Sequence, residues 1–134
     1  MGRLEELRQR FKSEPLGIHF GATLGHFEAG HAVVSVNVKD EFLIVDGIVQ
    51  GGITTAIADF AGVYAAMSKL ETGHTPAMNI NIYFLRPIKT GETITAVADV
   101  INESRRTILT RVDVFNQDRE NKAYATILFA KPKA

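Results

Sequence analysis

The chain has 134 residues, with 15 Lys+Arg against 15 Asp+Glu and no cysteine. Its length suits one domain, residues 1–134, and its zero net charge argues against a dedicated nucleic-acid binder, whose phosphate contacts need a cationic surplus. The lack of cysteine excludes disulfide frameworks, thiolate zinc sites and a cysteine nucleophile.

Residues 1–15 carry Leu4, Leu7 and Phe11 at helical spacing with charges between them, which predicts a short amphipathic helix. They hold no continuous apolar run of the kind an export signal needs, so a cytoplasmic location is the expectation. A first strand is expected within residues 17–27. In residues 31–39 Ala32, Val34, Val36 and Val38 alternate with mostly polar neighbours, which predicts a second strand.

Residues 47–68 then hold a single charged side chain, Asp59. The stretch is near the length of a membrane span, but Asp59 at its middle, Gln50 and four glycines argue against one. A buried helix from near Gly52 to about Leu70 is the better reading, with apolar residues on all its faces and Gly73 as a stop. Four more strands follow, over residues 78–84, 94–100, 107–115 and 122–130, separated by turns at 89–91, 102–106 and 116–121. Period-two alternation favours antiparallel pairing with one buried face. The expected architecture is therefore α+β, an antiparallel sheet curled round one long helix, with a short N-terminal helix. Its two edge strands invite pairing with a second copy.

A carboxylate on an apolar helix must be paired, hydrated, protonated or useful. Taken out of water, Asp59 gains a raised pKa and becomes suited to activating water. The competing reading is that it caps a loop or meets an arginine. Gly51-Gly52 stands where the helix begins, so its backbone N–H groups and the positive end of the helix dipole point at one spot, the chemistry of an oxyanion hole. Gly52 and Asp59 are seven residues apart, roughly 10 Å along a helix axis. Both can serve one site only if Gly52 of one subunit meets Asp59 of another, as a two-fold dimer allows. His26 and His31 flank an expected turn without a recognised ligand spacing and read as surface histidines rather than a metal site, and His19 and His74 have no evident partners.

The run Gly47-Ile48-Val49-Gln50-Gly51-Gly52, with Asp59 following on an apolar helix, resembles the hotdog-fold acyl-CoA thioesterases, above all their phenylacetate-degradation (PaaI-like) branch. The family motif reads Asn-x-x-Gly-x-x-His-Gly-Gly, then an acidic residue in the helix. Gly47, Gly51, Gly52 and Asp59 match it; Gln50 replaces the His and Ile44 the Asn. The resemblance implies an acyl-CoA thioesterase in which Asp59 is general base or nucleophile and the Gly52 N–H holds the thioester oxygen. Gln50 can orient the thioester or its water but cannot relay a proton near neutral pH. Thr75 is the candidate for the hydroxyl that family members place near the strand after the helix. Gly47, Gly51, Arg86, Lys89, Arg105 and Arg106 are candidate substrate contacts, the four cations for the phosphates of coenzyme A. No cofactor or metal is implied, and the expected assembly is a homodimer, paired into a homotetramer. The Gln50 and Ile44 departures keep open a second reading, a non-catalytic acyl-CoA-binding or assembly module. His26-Phe27 is followed by Glu28, so the His-Phe-Pro run of hotdog dehydratases is absent.

Overall fold

The computed structural model describes residues 2–132. Helix α1 (Arg3–Phe11) buries Leu7 and Phe11, with Glu5 and Glu6 in its first turn and Arg8 and Arg10 in its last. That charge order suits the helix dipole. A second helix, α2 (Pro15–Phe20), follows. Proline at its first position supplies the right φ without wasting an N–H, and Gly21 closes it at φ +69° in the left-handed region. The strand expected within residues 17–27 therefore starts only after this turn, as β1 (Thr23–Glu28), which pairs with β2 (His31–Asn37) through a turn at Gly30.

Helix α3 (Gly51–Met67) fills the centre. Then come β3 (Ala77–Phe84), β4 (Thr93–Glu103), β5 (Thr107–Phe115) and β6 (Asn121–Ala130). All pairs are antiparallel, in the order β1-β2-β4-β5-β6-β3. The curled sheet around one long helix is the architecture expected from the residues, and it is the hotdog fold that the family resemblance implies.

The inward face of the sheet is rich in small residues: Ala32, Ala96, Ala98, Ala123 and Ala125 are fully buried, as are Ala58, Ala61 and Ala65 on α3. Small side chains on both surfaces let helix and sheet approach closely. At Gly62 the approach is closest. A Cβ there would stand 3.0 Å from Ile127 Cδ1 and 3.3 Å from Thr110 Oγ1, so a larger residue would push the layers apart.

Strand β3 departs from the expected pattern. Alternation over residues 78–84 predicts a buried face of Met78, Ile80, Ile82 and Phe84, yet Met78 and Phe84 are each more than half exposed and only Ile80 and Ile82 pack against the core. Tyr83 on the other face and Leu85 just beyond are exposed too. The reason is position. Helix α3 lies over β2, β4 and β5 and reaches little of β3, which forms a sheet edge. An apolar edge strand left uncovered in this way is a template for pairing with another chain.

Candidate active site

The segment before α3 folds back on itself through a few backbone bonds. The Ile44 N–H donates to Ile48 O (2.8 Å) and the Gly47 N–H to Ile44 O (2.9 Å), with Gly47 at φ +83° on the tip. Gly47 is thus a turn residue, placed where the left-handed conformation favours glycine. The Val49 N–H donates to Ile88 O and the Gln50 N–H to Phe42 O, which pins the helix start against the β3–β4 connection.

Gln50 is the N-cap of α3 but makes no side-chain cap bond; its carbonyl accepts from the Ile53 and Thr54 N–H groups. Among the described residues the N–H groups of Gly51 and Gly52 donate to no protein acceptor. Two free donors therefore sit at the positive end of a 17-residue helix. A Cβ at Gly51 would lie 3.0 Å from Phe84 Cζ, so glycine lets the Phe84 ring close over the backbone. At Gly52 the nearest atom to such a Cβ is Gln50 Oε1, at 3.4 Å. The Gln50 side chain thus lies beside the second glycine.

These residues border a cleft of about 470 Å³. Ile44, Ile48, Val49, Phe84, Leu85 and Pro87 give it apolar walls, and Gln50, Gly51, Arg86 and Lys122 supply its polar groups. Of the sequence candidates, Gln50, Gly51 and Arg86 meet here. Lys89 stands alongside, its backbone bridged to Ile48. Of the two glycines, Gly51 lines the cleft.

Asp59 lies two turns further along α3, half-buried, with its Oδ1 buried and without a hydrogen-bond partner. Burial pushes its pKa above the ordinary carboxylate value, and the nearby His74 pulls the other way. Among the described residues neither a capped loop nor an arginine meets its buried oxygen. Asp59 does not line the Gly51 cleft of its own chain, in keeping with the roughly 10 Å that seven helical residues impose.

Other candidates fall elsewhere. Thr75 is fully buried and its hydroxyl donates to the Ala130 carbonyl, while the Ala130 N–H donates to Pro76 O; together these clamp the start of β3 to the end of β6. Arg105 and Arg106 are exposed in the β4–β5 turn. The register Thr107↔Ala130 and Ala77↔Phe129 puts that turn at the far end of the sheet from Phe84, ~23 Å along β3 from the cleft. One chain therefore does not bring Arg105 and Arg106 together with Arg86 and Lys89. His26 and His31 lie at the β1–β2 hairpin, ring centroids 5.1 Å apart, with His31 Nδ1 2.7 Å from Asp99 Oδ1. Among the described residues no group of three or more His, Asp or Glu side chains is placed to hold a metal, and no helix is long and apolar enough to cross a membrane.

Three residues near these sites went unread in the sequence as parts of them: Phe84, His74 and Lys122. Phe84 looked like strand core, and no local pattern tied residue 74 to residue 59. Lys122 is the extra residue of a bulge, since Val114 pairs with Ala123 but Phe115 with Asn121. Such a kink turns a lysine inward at a place that alternation cannot reveal.

Residues 46–123 match the family model described as the thioesterase superfamily. The chain belongs to the thioesterase superfamily. Its likeness within the superfamily is to the PaaI-like branch. It is 30% identical to the acyl-coenzyme A thioesterase PaaI of Escherichia coli strain K12 over 103 residues, covering 77% of this chain and 72% of that protein. The solved E. coli PaaI structure superposes with a TM-score of 0.91 at 24% identity, over 97% of this chain and 93% of that one, a likeness of fold. A Streptococcus mutans protein crystallised with acetyl-CoA bound superposes with a TM-score of 0.73 at 28% identity, covering 82% and 88% of the two chains.

Proposed function

We propose that this thioesterase-superfamily chain hydrolyses an acyl-CoA thioester to the free acid and CoA, with Asp59 activating the attacking water or itself acting as nucleophile. The observation that carries the reading is the buried, unpartnered Oδ1 of Asp59 on the same helix whose N-terminus offers two free N–H groups. In the general-base form, Asp59 takes a proton from water as the water oxygen bonds to the carbonyl carbon. The Gly52 N–H, with that of Gly51 beside it, holds the resulting oxyanion. Collapse breaks the C–S bond, and the thiolate leaves with the proton from Asp59. The raised pKa of Asp59 suits this shuttle, because the carboxylate is a better base than an exposed one. Gln50 orients the thioester or the water through its amide. Thr75 takes a structural part in this account, since its hydroxyl is already bonded to Ala130.

The 10 Å between the two halves of the machinery is resolved by a homodimer. Paired across the β3 edge, where Met78, Tyr83, Phe84 and Leu85 are exposed, two copies bring Gly52 of one subunit toward Asp59 of its partner and make two equivalent sites. Two such dimers form the expected tetramer. Residues 1–134 act as one domain, and a cytoplasmic location fits the substrate. Arg105 and Arg106 serve CoA only if they reach a site from the partner subunit.

Thiol release tests the proposal, measured on short-chain, long-chain and aryl acyl-CoAs for wild type and Asp59→Asn. Turnover by wild type that the substitution abolishes is the expected result. Acyl-CoA binding without turnover on any substrate would favour the non-catalytic module, which the Ile44 and Gln50 replacements motivate. A monomer by light scattering would contradict the shared site.

A further inference from the structure

Lys122 is a cation only 6% exposed, yet it forms part of the wall of the Gly51 cleft. Its bonds converge on one short segment, residues 85–92, which joins β3 to β4. The Leu85 and Arg86 N–H groups both donate to the Lys122 carbonyl (2.8 and 3.2 Å). Lys122 Nζ donates to Pro87 O (3.0 Å) and stands 3.3 Å from Glu92 Oε1 and 2.5 Å from Glu120 Oε1. Glu92 in turn accepts from the Lys89 N–H (2.6 Å) and from Asn116 Nδ2 (2.8 Å). The segment is held at residues 85, 86 and 87 directly, and at 89 through Glu92.

The charge consequence matters as much as the rigidity. The segment carries Arg86, Lys89 and Glu92, and its one anion is turned inward and consumed by Lys122 and Asn116. What it shows to solvent is two exposed cations, Arg86 in the wall of the cleft and Lys89 beside it, bridged to Ile48. A buried ion pair of this kind rarely adds stability over an apolar filling of equal size, so its effect here is geometric.

We propose that Lys122, acting through Glu92, is a positioning residue that fixes the 85–92 segment as a reader of a phosphorylated nucleotide, and so sets the preference for coenzyme A over simpler thiol carriers. In this reading Arg86 and Lys89 meet the phosphates, and Lys122 holds the segment that carries them. The inference rests on the thioester-hydrolase reading for its substrate, but not for the nucleotide contact itself.

The test compares wild type, Lys122→Met and Lys122→Arg on one acyl group carried by CoA or by N-acetylcysteamine, which has the thioester and lacks the nucleotide. Affinity for adenosine 3′,5′-bisphosphate is measured alongside. Lys122→Met should raise KM for the acyl-CoA about tenfold with kcat within about twofold, the size expected for losing one phosphate contact. It should lower kcat/KM for the N-acetylcysteamine thioester by a clearly smaller factor than for the acyl-CoA, and weaken bisphosphate binding about tenfold. Lys122→Arg should recover part of the loss. Equal losses on both thioesters, or unchanged bisphosphate binding, would overturn the proposal. Should Lys122→Met not fold, Glu92→Gln removes the charge and one of the two acceptor oxygens while keeping the side-chain shape; it should show the same split to a smaller degree, and no split would overturn it. If wild type hydrolyses neither thioester but binds the bisphosphate, and Lys122→Met loses that binding, the hydrolytic reading fails while the nucleotide reading stands.

Discussion

Asp59→Asn should make the protein more stable and nearly inactive at once. The carboxylate pKa is raised above 3.8 in the folded chain because burial disfavours its charged form. Its contribution to stability is therefore fully present below the unfolded-state pKa and is lost as pH rises through the folded one. Above its folded-state pKa the wild type holds a charged carboxylate whose Oδ1 is buried without a partner among the described residues. Such a group costs about 1–3 kcal/mol. Asp59 is only half-buried and His74 offsets part of its burial, which places the effect at about 1 kcal/mol, the lower end of that range. For a domain of this size the matching rise in Tm is about 4 °C. Calorimetry at pH 7.5 should show Asp59→Asn melting above wild type, with the gap closing toward pH 4. Thiol release by the variant should fall at least about 100-fold across the pH range. The acid limb of wild-type kcat/KM should lie above the ordinary carboxylate range. A variant less stable than wild type at neutral pH would refute the reasoning, since it would mean the carboxylate makes a favourable contact. An acid limb near pH 4 would equally remove the raised pKa from the mechanism.

Three further substitutions separate structural roles from chemical ones. Tyr64, fully buried on α3, donates from its hydroxyl to Glu14 Oε2 at 2.7 Å and so ties the start of α2 to the core; Tyr64→Phe should lower stability by about 1 kcal/mol in urea unfolding. Gly62→Ala places a methyl 3.0 Å from Ile127 Cδ1, and overpacking of about 1–3 kcal/mol against a helix-propensity gain of about 1 kcal/mol predicts a net loss, read as a lower denaturation midpoint. Thr75→Val leaves the Ala130 carbonyl without its side-chain donor; it should reduce Tm while kcat stays within about twofold, and a large loss of kcat with Tm unchanged would return Thr75 to the catalytic site.

Much of the fold was readable because its long elements carry strong periods. Helix α3 falls in the stretch whose one charged side chain is Asp59 and ends at Met67, three residues short of the expected Leu70, while β2, β4, β5 and β6 follow the alternation of their valines, isoleucines and alanines. What escaped was set by geometry that no short window contains. Helix α2 has six residues, too few for a helical period, and rests on Pro15 and Gly21 alone. The exposure of Met78 and Phe84 follows from where α3 lies over the sheet. Among the candidate site residues, Gly51, Gly52 and Asp59 could be read because an apolar helix makes a lone carboxylate and a glycine pair conspicuous. That Arg86 and Lys89 stand at one end of the sheet and Arg105 and Arg106 at the other depends on strand register, which the residues themselves do not announce. Lys122 was hidden by a bulge.

The central claim is that each site takes its oxyanion donor from one subunit and its carboxylate from the other. Asp59→Asn subunits and Gly52→Pro subunits, the latter lacking one N–H in the first turn of α3 where proline is tolerated, should each be inactive as homodimers. Unfolded and refolded together in equal amounts, they should recover about a quarter of wild-type thiol release, because half the dimers are mixed and each mixed dimer holds one intact site. No recovered activity, with mixed dimers confirmed by mass, would contradict the account and place both groups of each site in a single chain.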